Sequence, residues 1–155
     1  KRRNKMALKP DRIETLVDLS FFMNTAETRG GVAGMTTGAS GVAMDNSAAV
    51  VAYEADASGV TPVGILLNDV VDIDLTRQHI NYHKDEVSLG SKVALLRVGQ
   101  VTTDDISGTP SAGDAAFTAN SGQISDTQAT GTVKIGTFLS SKDADGFAKV
   151  AVNIV

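Results

Sequence analysis

The sequence predicts a mostly β protein: a small β-barrel or β-sandwich with an extended N-terminal arm and at most one or two short helices. Three observations predict it. From Ala48 onward, short apolar runs recur between Gly- and Asp-rich turns. Within several of these runs apolar and polar residues alternate, as side chains do along a half-solvated strand. The apolar set is also aliphatic, with 19 Ala, five Phe, two Tyr and no Trp. A core built from Val, Leu, Ile and Ala buries modest area per residue, so part of the stability is expected from partner subunits.

The 155 residues divide into an arm over residues 1–29 and a β-rich domain over residues 30–155. In the arm, residues 11–23, DRIETLVDLSFFM, read as a helix over about 11–20. Asp11 and Glu14 have capping-box spacing after Pro10, and Ile13, Leu16, Val17 and Ser20 share a helical face. A strand is the alternative near Leu19–Met23, where LSFFM is short and aromatic. Residues 24–47 are rich in Gly, Thr, Ser, Asn and Ala and read as loop, with strand pieces around GVAGM and GVAMD.

The β rhythm then takes over. AAVVAYE is a strand, ADASGVT a turn, and PVGILL and DVVDIDL follow. In the last of these, Val71, Ile73 and Leu75 alternate with Asp72 and Asp74. EVSLGSKVALLRVGQVT holds two strands around Gly90, and DAAFTA and TVKIGTFLS add more. The segment from Ile106 to Thr132 is biased towards small polar residues, and its apolar positions predict hairpins with wide turns. In FAKVAVNIV, Val150, Val152 and Ile154 point one way, and Lys149, Ala151 and Asn153 the other.

Composition excludes several kinds of chemistry. With no cysteine there is no disulfide, thiolate nucleophile or Cys-type zinc site. No apolar run approaches the ~20 residues of a membrane-spanning helix, and no hydrophobic stretch follows the basic N-terminus, so no signal peptide is expected. The net charge of −4 is uneven: residues 1–12 carry +5 and the remainder −9. A basic tail of this kind suits an acidic protein partner. It contains no aromatic residue to stack bases, and the acidic body opposes a polyanion, so nucleic-acid binding is not expected.

The motifs that could carry catalysis read as structure. His79 and His83, the only histidines, lie in TRQHINYHKDE without the H-E-x-x-H pattern of a zinc hydrolase. They read as part of a polar interface strand, with Arg77, Tyr82, Lys84, Asp85 and Glu86 crowding the same stretch. Mixed charge of this sort sets the register of a contact. Asp143 to Gly146, DADG, begins like a calcium loop but lacks the later ligands. Asp-Gly there reads as a tight hairpin turn. GTPSAGDA has phosphate-loop glycine spacing, but Asp114 stands where Lys is needed. Asp72 and Asp74 read as the solvated face of a strand. There is no G-x-S-x-G elbow, and no enzyme activity is expected.

One resemblance joins these pieces. RGGVAGMTTGASGVAMD is followed by PVGILLNDVVDIDLTRQHINYHKDEVSLGSKVALL, then GTPSAGDAAF, SGQI and the ending GTFLSSKDADGFAKVAVNI. From about Phe21 to Val155 this order resembles the small head decoration, or capsid cement, proteins of tailed bacteriophages. The long arm before Phe21 departs from it.

The resemblance implies a β-rich domain, often a homotrimer, on the outer surface of the virion capsid at the seams between capsomers. It implies no catalysis, cofactor or small-molecule substrate. The partners would be the major capsid protein and the chain itself, with no nucleic acid and no membrane. The contact residues would be Lys9 and Arg12 as cations meeting an acidic shell, and Phe21, Phe22 and Met23 as apolar anchors. Arg77, His79, Tyr82, His83, Lys84, Asp85 and Glu86 would form the polar contact strand. The last strand would close the barrel or pair across a subunit boundary. Two further readings stand beside this one: another virion component, such as a tail tube, neck or fibre-attachment subunit, and a metal-dependent enzyme or sugar-binding β module using His79 and His83.

Overall fold

The alternating runs and their polar turns become strands and hairpins. The computed structural model describes residues 8–36, 50–71 and 86–155. These are mostly β, as the patterning predicts. The strands are β1 (Ile13–Met23), β2 (Glu27–Thr28), β3 (Val32–Thr36), β4 (Val50–Ala52), β5 (Pro62–Val71) and β6 (Glu86–Val87). The second half supplies β7 (Lys92–Thr103), β8 (Ile106–Ser107), β9 (Ala115–Thr118), β10 (Ile124–Ser125), β11 (Lys134–Phe138) and β12 (Ala148–Asn153). One short 3-10 turn, Asn120–Gly122, precedes β10.

Ten strands share one sheet in the order β1-β4-β3-β5-β7-β12-β11-β9-β10-β8, and β1 also pairs with β7. The strands β1, β4, β3, β5 and β7 therefore close a ring, a small barrel whose closure removes most of its free edges. β2 and β6 form a separate two-stranded ribbon.

The long strand β7 joins the barrel to the second half of the fold. Residues Lys92 to Leu96 pair with β5, and Val98 to Thr103 pair with β12. β1 runs along the other side from Lys92 to Gln100, and Leu8 bridges to Thr103 beyond it. β7 thus contributes to two cores, and from Val93 to Leu96 it does so by simple alternation. Val93 and Leu95 join Met23, Ala33, Val51, Val63 and Leu66 inside the ring. Ala94, Leu96 and Val101 join Leu8, Ile135, Phe138, Val150, Val152 and Ile154 in a larger core shared with the second half. Phe138 is the largest fully buried side chain, and the rest of both cores is nearly all aliphatic, as composition predicts.

The stretch expected to form a helix over about 11–20 is instead strand β1. Its ladder with β7 shifts register between Glu14 and Leu16, between Leu16 and Val17, and between Asp18 and Phe21. Such bulges break the two-residue alternation. Ile13, Leu16 and Leu19 therefore fall three apart, a spacing that imitates a helical face. The composition favours the strand: Ile13, Thr15 and Val17 are β-branched, and Phe21 and Phe22 are aromatic. The described part of the expected arm is woven into the sheet, because Leu8 is buried in the larger core and β1 is a stave of the barrel.

The closing hairpin follows the sequence closely. DADG is its turn, with Gly146 at φ 90°. Asp143 Oδ1 accepts hydrogen bonds of 2.9 Å from the N–H groups of Asp145 and Phe147. Val150, Val152 and Ile154 are buried, whereas Lys149 and Ala151 are partly exposed and Asn153 is exposed. The last strand is covered by its own chain, with β7 on one side and β11 on the other. GVAMD and the positions Asp72, Ile73, Asp74 and Leu75 lie outside the described residues.

Candidate functional site

β1 carries the most unusual surface among the described residues. Ile13, Leu16 and Leu19 are 53%, 47% and 48% exposed, three large aliphatic side chains on one strand. A shallow groove beside them is lined by Leu16, Val17, Asp18, Leu19, Ser20, Lys92 and Arg97. The bulge at its centre is held locally: Asp18 Oδ1 accepts hydrogen bonds from the N–H of Ser20 (2.8 Å) and from its hydroxyl. Arg97 Nη1 stands 3.7 Å from Asp18 Oδ2, and its Nε donates to the carbonyl of Ile154 at 3.2 Å. Lys92 Nζ lies 5.9 Å from the centre of the Phe22 ring. The stripe is thus apolar, fixed in shape and bordered by charges engaged with neighbouring groups.

The sequence-derived contact residues fall into separate places. Lys9 is tied down within the chain: its Nζ is 3.2 Å from Asp143 Oδ2 and 4.6 Å from the centre of the Phe147 ring. Arg12 pairs with Glu14. Phe21 packs against the barrel core and Phe22 is partly exposed beside Lys92. Met23, expected as a surface anchor, is 1% exposed and belongs to the barrel interior. Glu86 is exposed on β6, opposite Thr28 of β2. Arg77, His79, Tyr82, His83, Lys84 and Asp85 lie outside the described residues. Among the described residues, no group of three or more His, Asp or Glu side chains is placed to hold a metal ion.

A second polar assembly joins the barrel to the rest of the fold. The Tyr53 hydroxyl accepts from the N–H of Gly31 at 2.8 Å and donates to the carbonyl of Thr28 at 2.7 Å. Burial pushes its phenol well above the ordinary range, and the negative charge of Asp105 adds to this. Nearby, the N–H of Ser121 donates to the carbonyl of Glu54 at 2.8 Å, and that of Ala57 donates to Asn120 Oδ1 at 2.9 Å. The Thr103 hydroxyl donates to the carbonyl of Gly30 at 2.9 Å and accepts from the N–H of Asp105 at 3.1 Å. Burial raises the Asp105 carboxyl to about 6, reinforced by the charges of Asp104 and Glu27.

Sequence reasoning missed both features. Ile13 and Leu16 read as part of one helical face, although their β-branched and aromatic neighbours signal a strand. Tyr53 and Asp105 lie 52 positions apart and meet only through the sheet topology, which no local pattern reveals. No protein-family model matches the chain, and no curated protein sequence matches it.

Proposed function

We propose that this chain is a structural virion protein that binds the outer surface of an expanded phage capsid and cements adjacent capsomers against internal DNA pressure. The observation that carries this reading is the exposed stripe of Ile13, Leu16 and Leu19 on a strand rooted in the barrel. A rigid apolar ridge is suited to packing against another protein, and it adds nothing to the chain's own core. The order of sequence motifs supports the same reading.

The magnitudes suit cementing by many weak ties. Covering a half-exposed aliphatic side chain contributes about 1 kcal/mol, so the stripe supplies about 3 kcal/mol before the cost of association. One copy held only by this stripe would bind weakly. A homotrimer engages three such stripes together, and avidity then multiplies the effect. A protein that binds only the expanded shell stabilises that shell by mass action. The partner is the major capsid protein, and the chain acts without catalysis.

The test compares purified heads with and without this protein under heat and osmotic shock. Complete heads should survive conditions that burst the depleted ones. Equal survival overturns the cementing role, and closed rings or tubes of the isolated protein would point to a tail or neck subunit.

A further inference from the structure

Three segments converge on the backbone of Gly31. A Cβ built there would stand 2.5 Å from Asp105 Oδ2, 2.8 Å from the Gly122 carbonyl oxygen and 2.8 Å from Tyr53 Cζ. The segments come from both halves of the fold. Tyr53 packs against the barrel core, whereas Asp105 and Gly122 lie just before Ile106 and Ile124 of the larger core. A carboxyl group therefore sits wedged at the point where the two cores are stitched together.

We propose that Asp105 is a proton-operated latch at this joint, closed when its carboxyl group is protonated and loosened when it is ionised. A protonated carboxyl can donate a hydrogen bond, and the Gly122 carbonyl crowds the same point; an ionised carboxylate can only accept. Among the described residues, the neighbouring charges that act on Asp105 are negative. Asp104 on the same turn and Glu27 of β2 both disfavour the ionised form, and burial does so most strongly. The Tyr53 phenol across the joint is held neutral.

The direction of the pH effect follows. The folded-state value of about 6 lies above the ordinary carboxyl value of 3.8. The folded state therefore takes up a proton from solvent that the unfolded chain does not hold between those values. Stability from this group is fully present below the unfolded value and is lost as pH rises through about 6.

The test uses the isolated chain and needs no capsid. Thermal unfolding of the wild type should shift upward by about 2–4 °C between about pH 7.5 and about pH 5, relative to Asp105→Asn. The variant should lack this component of the shift. Exchange protection at the Gly31 and Ser121 amides, corrected for intrinsic rates, should rise on acidification in the wild type alone. Glu27→Gln removes one repelling charge at an intermediate position on β2, so it should move the transition to lower pH. Parallel pH profiles for wild type and Asp105→Asn would overturn the latch. If Asp105→Asn does not fold, an unmoved transition in Glu27→Gln would overturn it.

Discussion

The backbone of Gly136 lies so close to Ala151 that a Cβ on Gly136 would stand 1.8 Å from the Ala151 carbonyl oxygen. The two residues belong to the hairpin of β11 and β12, where Gly136 is the partner of Val152 and Thr137 the partner of Ala151. Any side chain at Gly136 must push the strands apart and pull Val150 and Val152 from the larger core. Gly136→Ala is expected to lower stability by about 3 kcal/mol, read as a reduced midpoint in urea unfolding with little change in slope.

The Tyr53 hydroxyl makes its own prediction. Tyr53→Phe keeps the ring but leaves the Gly31 N–H and the Thr28 carbonyl without their shared partner. Orphaning such groups costs about 1–3 kcal/mol. Thermal unfolding at neutral pH should register that loss, and hydrogen exchange at Gly31 should accelerate.

Asp143 responds to acid in the sense opposite to Asp105. The Phe147 amide holds its carboxyl below the ordinary value, with help from the Lys9 side chain and the Asp145 amide. Its contribution is present above the unfolded carboxyl value and is lost as pH falls below it. Between about pH 5 and about pH 3, the wild type should lose stability more steeply than Asp143→Asn. Of these two contributions, that of Asp105 is greatest below the ordinary carboxyl value of 3.8 and that of Asp143 above it, so together they contribute most near that value.

The closing strand β12 is legible because its ladder with β7 is regular. Ala148 to Asn153 meets Thr103 to Val98 without a register shift, so Val150 and Val152 alternate as written. β1 is not legible for the converse reason: bulges insert residues, and a period of two becomes a period of three. Turn chemistry is local and therefore readable at DADG. The joint at Gly31 depends on contacts between distant segments, and sequence spacing carries no trace of it. The cluster from Arg77 to Asp85, the strongest polar motif in the sequence, lies outside the described residues.

The central claim is that the stripe on β1 grips a phage shell, and binding to expanded heads that lack this protein tests it most directly. Purified chain added to such heads should co-sediment with them in a fixed ratio. The double substitution Leu16→Asp with Leu19→Asp should weaken binding about 30-fold, the equivalent of about 2 kcal/mol, while unfolding of the isolated chain changes little. Failure of the wild type to bind heads, or equal binding by the variant, would contradict the account.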